Sequence, residues 1–131
     1  ILPPGHPLAQ KTEISPEDLS KERMIHSRRD SMFYRDLEAS FTQGGVNMQS
    51  WIETRQFTAA CELVSKGAGV SVVSEMDARE HKTQGLIIRP FTPRLEHHLA
   101  IVRPIHTPPS MITLEFIQTF VDSLKPFRVD I

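Results

Sequence analysis

Extended, β-branched runs alternate along this chain with segments of helical periodicity, and that alternation most narrows what it can fold into. Residues 23–27, Arg-Met-Ile-His-Ser, read as a strand. A helix opening at Asp30 or Ser31 follows, with Phe33, Leu37 and Phe41 recurring at a spacing of four on one face. Gly44-Gly45 provides the left-handed exit that helices favour. Residues 46–52 are the next extended run and contain Trp51. Thr54 is then placed as the cap of a third helix, with Phe57, Ala60, Cys61 and Val64 on its apolar face and Gly67 at its end. Residues 70–74, Val-Ser-Val-Val-Ser, read as a buried strand. Ser74 caps a further helical turn, and residues 86–91 and 98–103 are two more strands.

Strands that alternate with helices form a mainly parallel sheet with helices on both faces, joined by right-handed crossovers. The expected fold class is therefore α/β. Before the first strand, Pro3, Pro4 and Pro7 make residues 1–13 an extended entry segment. Ser15-Pro16-Glu17-Asp18 starts a short helix, with Ser as cap, Pro in the first position and Asp18 answering back.

The 131 residues suffice for one ordinary core, and 39% hydrophobic with 24% charged residues fits a globular chain. The net charge of -1, from 15 basic and 16 acidic residues, lacks the basic excess of a domain that grips nucleic acid unaided. A single cysteine excludes an internal disulfide and fits a reducing, cytoplasmic setting. No apolar run reaches the roughly 18 residues of a membrane span. The start, Ile1-Leu2-Pro3-Pro4-Gly5, has neither an initiator Met nor a signal-peptide head and reads as a cut within a longer chain.

Ligands of open α/β sheets bind beyond the carboxyl ends of the strands, where loops meet helix N-termini. Three strand-to-helix junctions share that edge here: residues 26–31, 52–56 and 73–75. Each carries small polar side chains: Ser27, Asp30 and Ser31, then Glu53 and Thr54, then Ser74. Free helical N–H groups there suit a carboxylate or phosphate. Capping alone also accounts for such residues, at roughly 1 kcal/mol each. The convergence of three junctions carries more weight than any one cap.

The segment Leu2-Pro3-Pro4-Gly5-His6-Pro7-Leu8-Ala9, followed by Ile14-Ser15-Pro16-Glu17-Asp18-Leu19, resembles the entry into the second lobe of LysR-type transcription regulators. Glu53-Thr54, the run from Leu63 through Gly67 and Gly69 to Val73, and Gly85-Leu86 with Arg89-Pro90-Phe91 continue the pattern in order. The resemblance implies an effector-binding domain with a periplasmic-binding-protein-like (flavodoxin-like) fold, two α/β lobes about a cleft. It assigns residues 8–92 to the second lobe, and 1–7 with 93–131 to the remnant of the first. It carries over effector contacts to residues 27–31 and 54–57. With Ser74, the candidate effector-binding residues are Ser27, Arg29, Asp30, Ser31, Thr54, Phe57 and Ser74. Arg28, Arg29 and Asp30 suit a zwitterion such as an amino-acid derivative, opines included, or form a solvated turn. Self-association as dimer or tetramer is implied, and DNA contact only through an absent winged helix-turn-helix. The alternative is one lobe of an extracytoplasmic solute-binding protein. A small enzyme on the same fold lacks an identifiable acid–base pair, so no catalytic residue is assigned.

No cofactor or metal is expected. His97 and His98 are adjacent and, on a strand, point to opposite faces, while His6, His26, His81 and His106 are scattered. Cys61 sits on an apolar helical stripe, where it packs as a small hydrophobe. Trp51 is expected beneath the sheet. Residues 110–125 give the clearest helix, with Ile112, Phe116, Ile117, Phe120, Val121 and Leu124 as an apolar stripe. That stripe is expected to pair with another chain or to cover the remaining lobe.

Overall fold

The computed structural model describes residues 1–127. They fall into two compact units, Ile1–His97 and the segment from His98 onward. The first holds helices α1 (Pro16–Leu19), α2 (Met32–Gln43), α3 (Phe57–Ser65) and α4 (Glu75–Glu80) with strands β1 (Met24–Ser27), β2 (Ser50–Thr54) and β3 (Val70–Ser71). The second holds α5 (Met111–Leu124). No described helix is long and apolar enough to cross a membrane.

The strands form a parallel sheet in the order β2-β1-β3. β1 is the central strand, and its side chains alternate between two cores. Met24 joins Leu37, Phe41 and Val70, while its neighbour Ile25 joins Ala60, Cys61 and Val64. Helix α2 thus covers one face and α3 the other, as the period of two along a strand requires. Leu37 and Phe41, one turn apart on α2, are both buried, and each contributes about 1.5–3 kcal/mol by leaving water.

Local chemistry explains the joints. Ser15 and Asp18 close a capping box before α1, the Ser15 N–H donating to the Asp18 carboxylate at 3.1 Å. Ser31 caps α2, accepting from the Tyr34 N–H at 3.1 Å. Gly67, in the left-handed region at φ 76°, ends α3. Gly69 then lets β3 close on β1: a Cβ there would stand 2.3 Å from the Arg23 carbonyl oxygen, which accepts from the Val70 N–H at 3.0 Å.

Several expectations need correction. The entry segment contains a 3-10 turn at Pro7–Gln10, begun by Pro7 itself, with His6 Nδ1 accepting from the Leu8 N–H at 3.3 Å. The third strand pairs only over Val70–Ser71, so Val72 and Val73 leave the ladder. Residues 86–91 add no sheet strand, because their backbone bonds return to the entry segment. Leu2 bridges Ile87 antiparallel and Ile14 bridges Phe91 in parallel, and Pro90 has no N–H to give. Arg89 completes that seam, donating to the Lys11 carbonyl at 2.7 Å and the Ala9 carbonyl at 2.8 Å.

Trp51 is also not beneath the sheet; it is 58% exposed. Met24 faces Ser50 and Ile25 faces Ile52, so Trp51 is the extra residue of a β-bulge and swings outward. The Arg23 guanidinium lies 5.1 Å above its ring. In the second unit residues 98–103 form no strand, while α5 runs where its periodicity places it, capped by Ser110. None of its residues is buried.

Candidate functional site

Parallel pairing puts the carboxyl ends of β1 and β2 side by side: Ser27 is in register with Thr54. β3 pairs with β1 through Met24–Val70 and Ile25–Ser71, so the chain leaving β3 toward Ser74 departs over the same edge. The expected common rim is therefore present.

The residues on that rim differ in how far their polar atoms are already engaged. Ser31 caps α2, donates to the Arg28 carbonyl at 2.7 Å and lies 3.1 Å from the Ser27 hydroxyl. Asp30 pairs with the Arg28 guanidinium. Ser74 caps α4 through the Asp77 N–H at 3.2 Å and donates to the Asp77 carboxylate. It stands across β1 from the β2 junction. Arg29 is exposed, donating to Ser50 Oγ at 3.2 Å with its Nε 3.9 Å from a Glu53 carboxylate oxygen.

Thr54 is not the cap of α3. It ends β2, and the N-cap position falls to Gln56, whose side chain makes no capping bond. The Thr54 hydroxyl donates instead to the Gln56 carbonyl at 3.2 Å and lies 3.5 Å from the His26 carbonyl. The two residues between strand and helix push Thr54 too far back to reach the first-turn amides. Consequently α2 and α4 have side-chain-capped N-termini and α3 does not.

Phe57, on the first turn of α3, meets Phe33 from the first turn of α2 at 5.1 Å between ring centroids and His97 at 5.5 Å. Phe33 and His97 approach to 5.9 Å, completing an aromatic trio across the two helix starts. Sequence reasoning had Phe33 only as a core residue and His97 only as a rejected metal ligand. Nothing in the spacing brings His97, far along the chain, to that place.

His26 was not among the expected site residues. It is buried, with its ring 4.9 Å from that of Tyr34, Nδ1 at 2.8 Å from the Ser27 carbonyl and Nε2 at 2.6 Å from Ser50 Oγ. Cys61 behaves as packing: burial pushes its thiol up to about 11, with the nearby Asp77 adding to the shift. Among the described residues no group of His, Cys, Asp or Glu has the arrangement of a metal site.

A parallel sheet layered between helices, with strand-to-helix junctions gathered on one edge, defines a ligand-binding lobe of the periplasmic-binding-protein type. The sequence matches the family model of the LysR substrate binding domain over residues 1–125, and the chain belongs to that family. It is similar to the transcriptional activator protein LysR of Escherichia coli strain K12, with 33% identity over 116 residues, 88% of this chain and 37% of that protein. It resembles the regulatory protein NocR of Agrobacterium tumefaciens strain T37, with 34% identity over 125 residues, 95% of this chain and 42% of NocR. The octopine catabolism/uptake operon regulatory protein OccR of Rhizobium meliloti is 26% identical over 119 residues, 91% of this chain and 39% of OccR. The chain thus spans about two fifths of the length of these relatives.

Proposed function

We propose that this chain is the sensing lobe of a cytoplasmic LysR-type transcription regulator and that it holds a small carboxylate-bearing effector, an amino-acid derivative, on the β1–β2 rim. The observation that carries the reading is the register of Ser27 with Thr54. It sets the loop with Arg29 beside the start of α3, whose first-turn amides have no side-chain cap. Uncapped amides and a guanidinium favour an anionic group. The name of OccR refers to octopine, an amino-acid derivative, which fits that chemistry.

In this reading Arg29, Thr54 and Phe57 contact the effector, with Ser27 beside them. Ser31, Asp30 and Ser74 shape the loops. Residues 8–92 form the second lobe, and 1–7 with 93–131 belong to the first, so the effector is enclosed when both lobes are complete. Lobe closure then shifts the geometry of a dimer or tetramer. DNA is reached through a winged helix-turn-helix outside these residues. The role is sensing rather than catalytic, in keeping with relatives that are regulators.

An NMR titration of the chain with octopine, lysine and arginine tests this. Amide shift changes concentrated at residues 27–31 and 54–57 are expected for at least one of them. Changes confined to other surfaces, or none with any of the three, would overturn the assignment.

A further inference from the structure

We propose that His26, acting through Ser50, is the positioning residue that holds the Arg29 guanidinium ready to read an effector carboxylate. This deepens the effector-site reading above and rests on it.

The Ser27 carbonyl oxygen only accepts, so the 2.8 Å contact makes Nδ1 of His26 the N–H donor. In a neutral imidazole one nitrogen donates and the other accepts, so Nε2 takes the proton of the Ser50 hydroxyl at 2.6 Å, while Arg29 donates to the same Oγ at 3.2 Å. With its only proton committed, Ser50 Oγ turns lone pairs outward, and the Arg29 guanidinium occupies one of them. The direction of every bond is set by a side chain that is 1% exposed and locked against Tyr34.

Three features make this more than a local hydrogen-bond network. The inner end of the relay is buried, and the outer end is an exposed cation on the rim. Glu53, in register with His26, has a carboxylate oxygen 3.9 Å from Arg29 Nε. A guanidinium has five N–H donors. One hydrogen bond and one long ion pair, the contacts found among the described residues, leave donors for the two oxygens of a carboxylate. A lysine at the same place would present a point charge without that fork.

The test begins with the chain alone. Long-range 1H–15N correlation spectra of the histidine rings are expected to show Nδ1 of His26 as the protonated nitrogen; a proton on Nε2 would overturn the relay. Ser50 is exposed, so Ser50→Ala is expected to fold unchanged while its Arg29 guanidinium protons exchange about tenfold faster, the effect of losing one hydrogen bond. Unchanged exchange would also overturn it. Titration with octopine then reads function. Ser50→Ala and His26→Asn are expected to weaken binding about tenfold, whereas His26→Gln, whose amide oxygen can take the Ser50 proton, stays within about threefold. Equal losses in the Asn and Gln variants would reduce His26 to packing. If both variants at His26 unfold, Ser50→Ala decides by itself. Octopine binding absent from the unmodified chain counts against the effector reading, while the tautomer and the exchange rate still judge the relay.

Discussion

Helices α2 and α5 have similar apolar stripes and opposite fates. On α2, Phe33, Leu37 and Phe41 are all buried, Leu37 and Phe41 in the core they share with Met24 and Val70 of the sheet. On α5, Phe116 and Phe120 stack on one another at 6.2 Å, yet Phe116 is 69% exposed and no residue of the helix is buried. Periodicity decides that a segment becomes helical and which side is apolar. It does not supply the surface that takes the apolar side out of water. α2 has that surface because β1 runs directly into it, and most helical stability comes from such packing.

The largest contrast should be seen on truncation. Leu37→Ala is expected to destabilise the fold by about 3–5 kcal/mol, because it empties a closed core. Phe120→Ala should change global stability by no more than about 0.5 kcal/mol, as for other exposed positions. Urea denaturation followed by the fluorescence of Trp51 compares the two, and a cost for Phe120→Ala near that of Leu37→Ala would erase the distinction.

Smaller still is the difference between caps. Ser31→Ala should lower global stability by about 1 kcal/mol. Ser110→Ala should shorten α5, read as faster amide exchange in its first turn, with the denaturation midpoint unmoved. A matching shift in midpoint would mean that α5 unfolds together with the sheet.

Much of the fold was legible because local signals agreed with packing. The capping box at Ser15 and Asp18, the strand at Met24–Ser27, the stripe of α2 and the exit at Gly67 each have a short-range cause. The errors fall where partners decide. Residues 86–91 have strand composition but bond to the entry segment, and that choice depends on chain path. Trp51 is exposed because a bulge turned it, and no residue type announces a bulge there. At the site, the shared edge followed from parallel topology. The Thr54 cap failed by a matter of two residues of spacing. His26 was unreadable because its value lies in three partners, of which Ser50 and Tyr34 come from other elements.

The alternation along β1 has a mechanical consequence. Met24 and Ile25 are consecutive, yet one anchors the layer under α2 and the other the layer under α3. A pull on the tip of this strand, at Ser27, cannot be absorbed by one layer alone. It strains both at once, so the strand works as a shared axle, and an event on the rim is felt on both sides of the sheet.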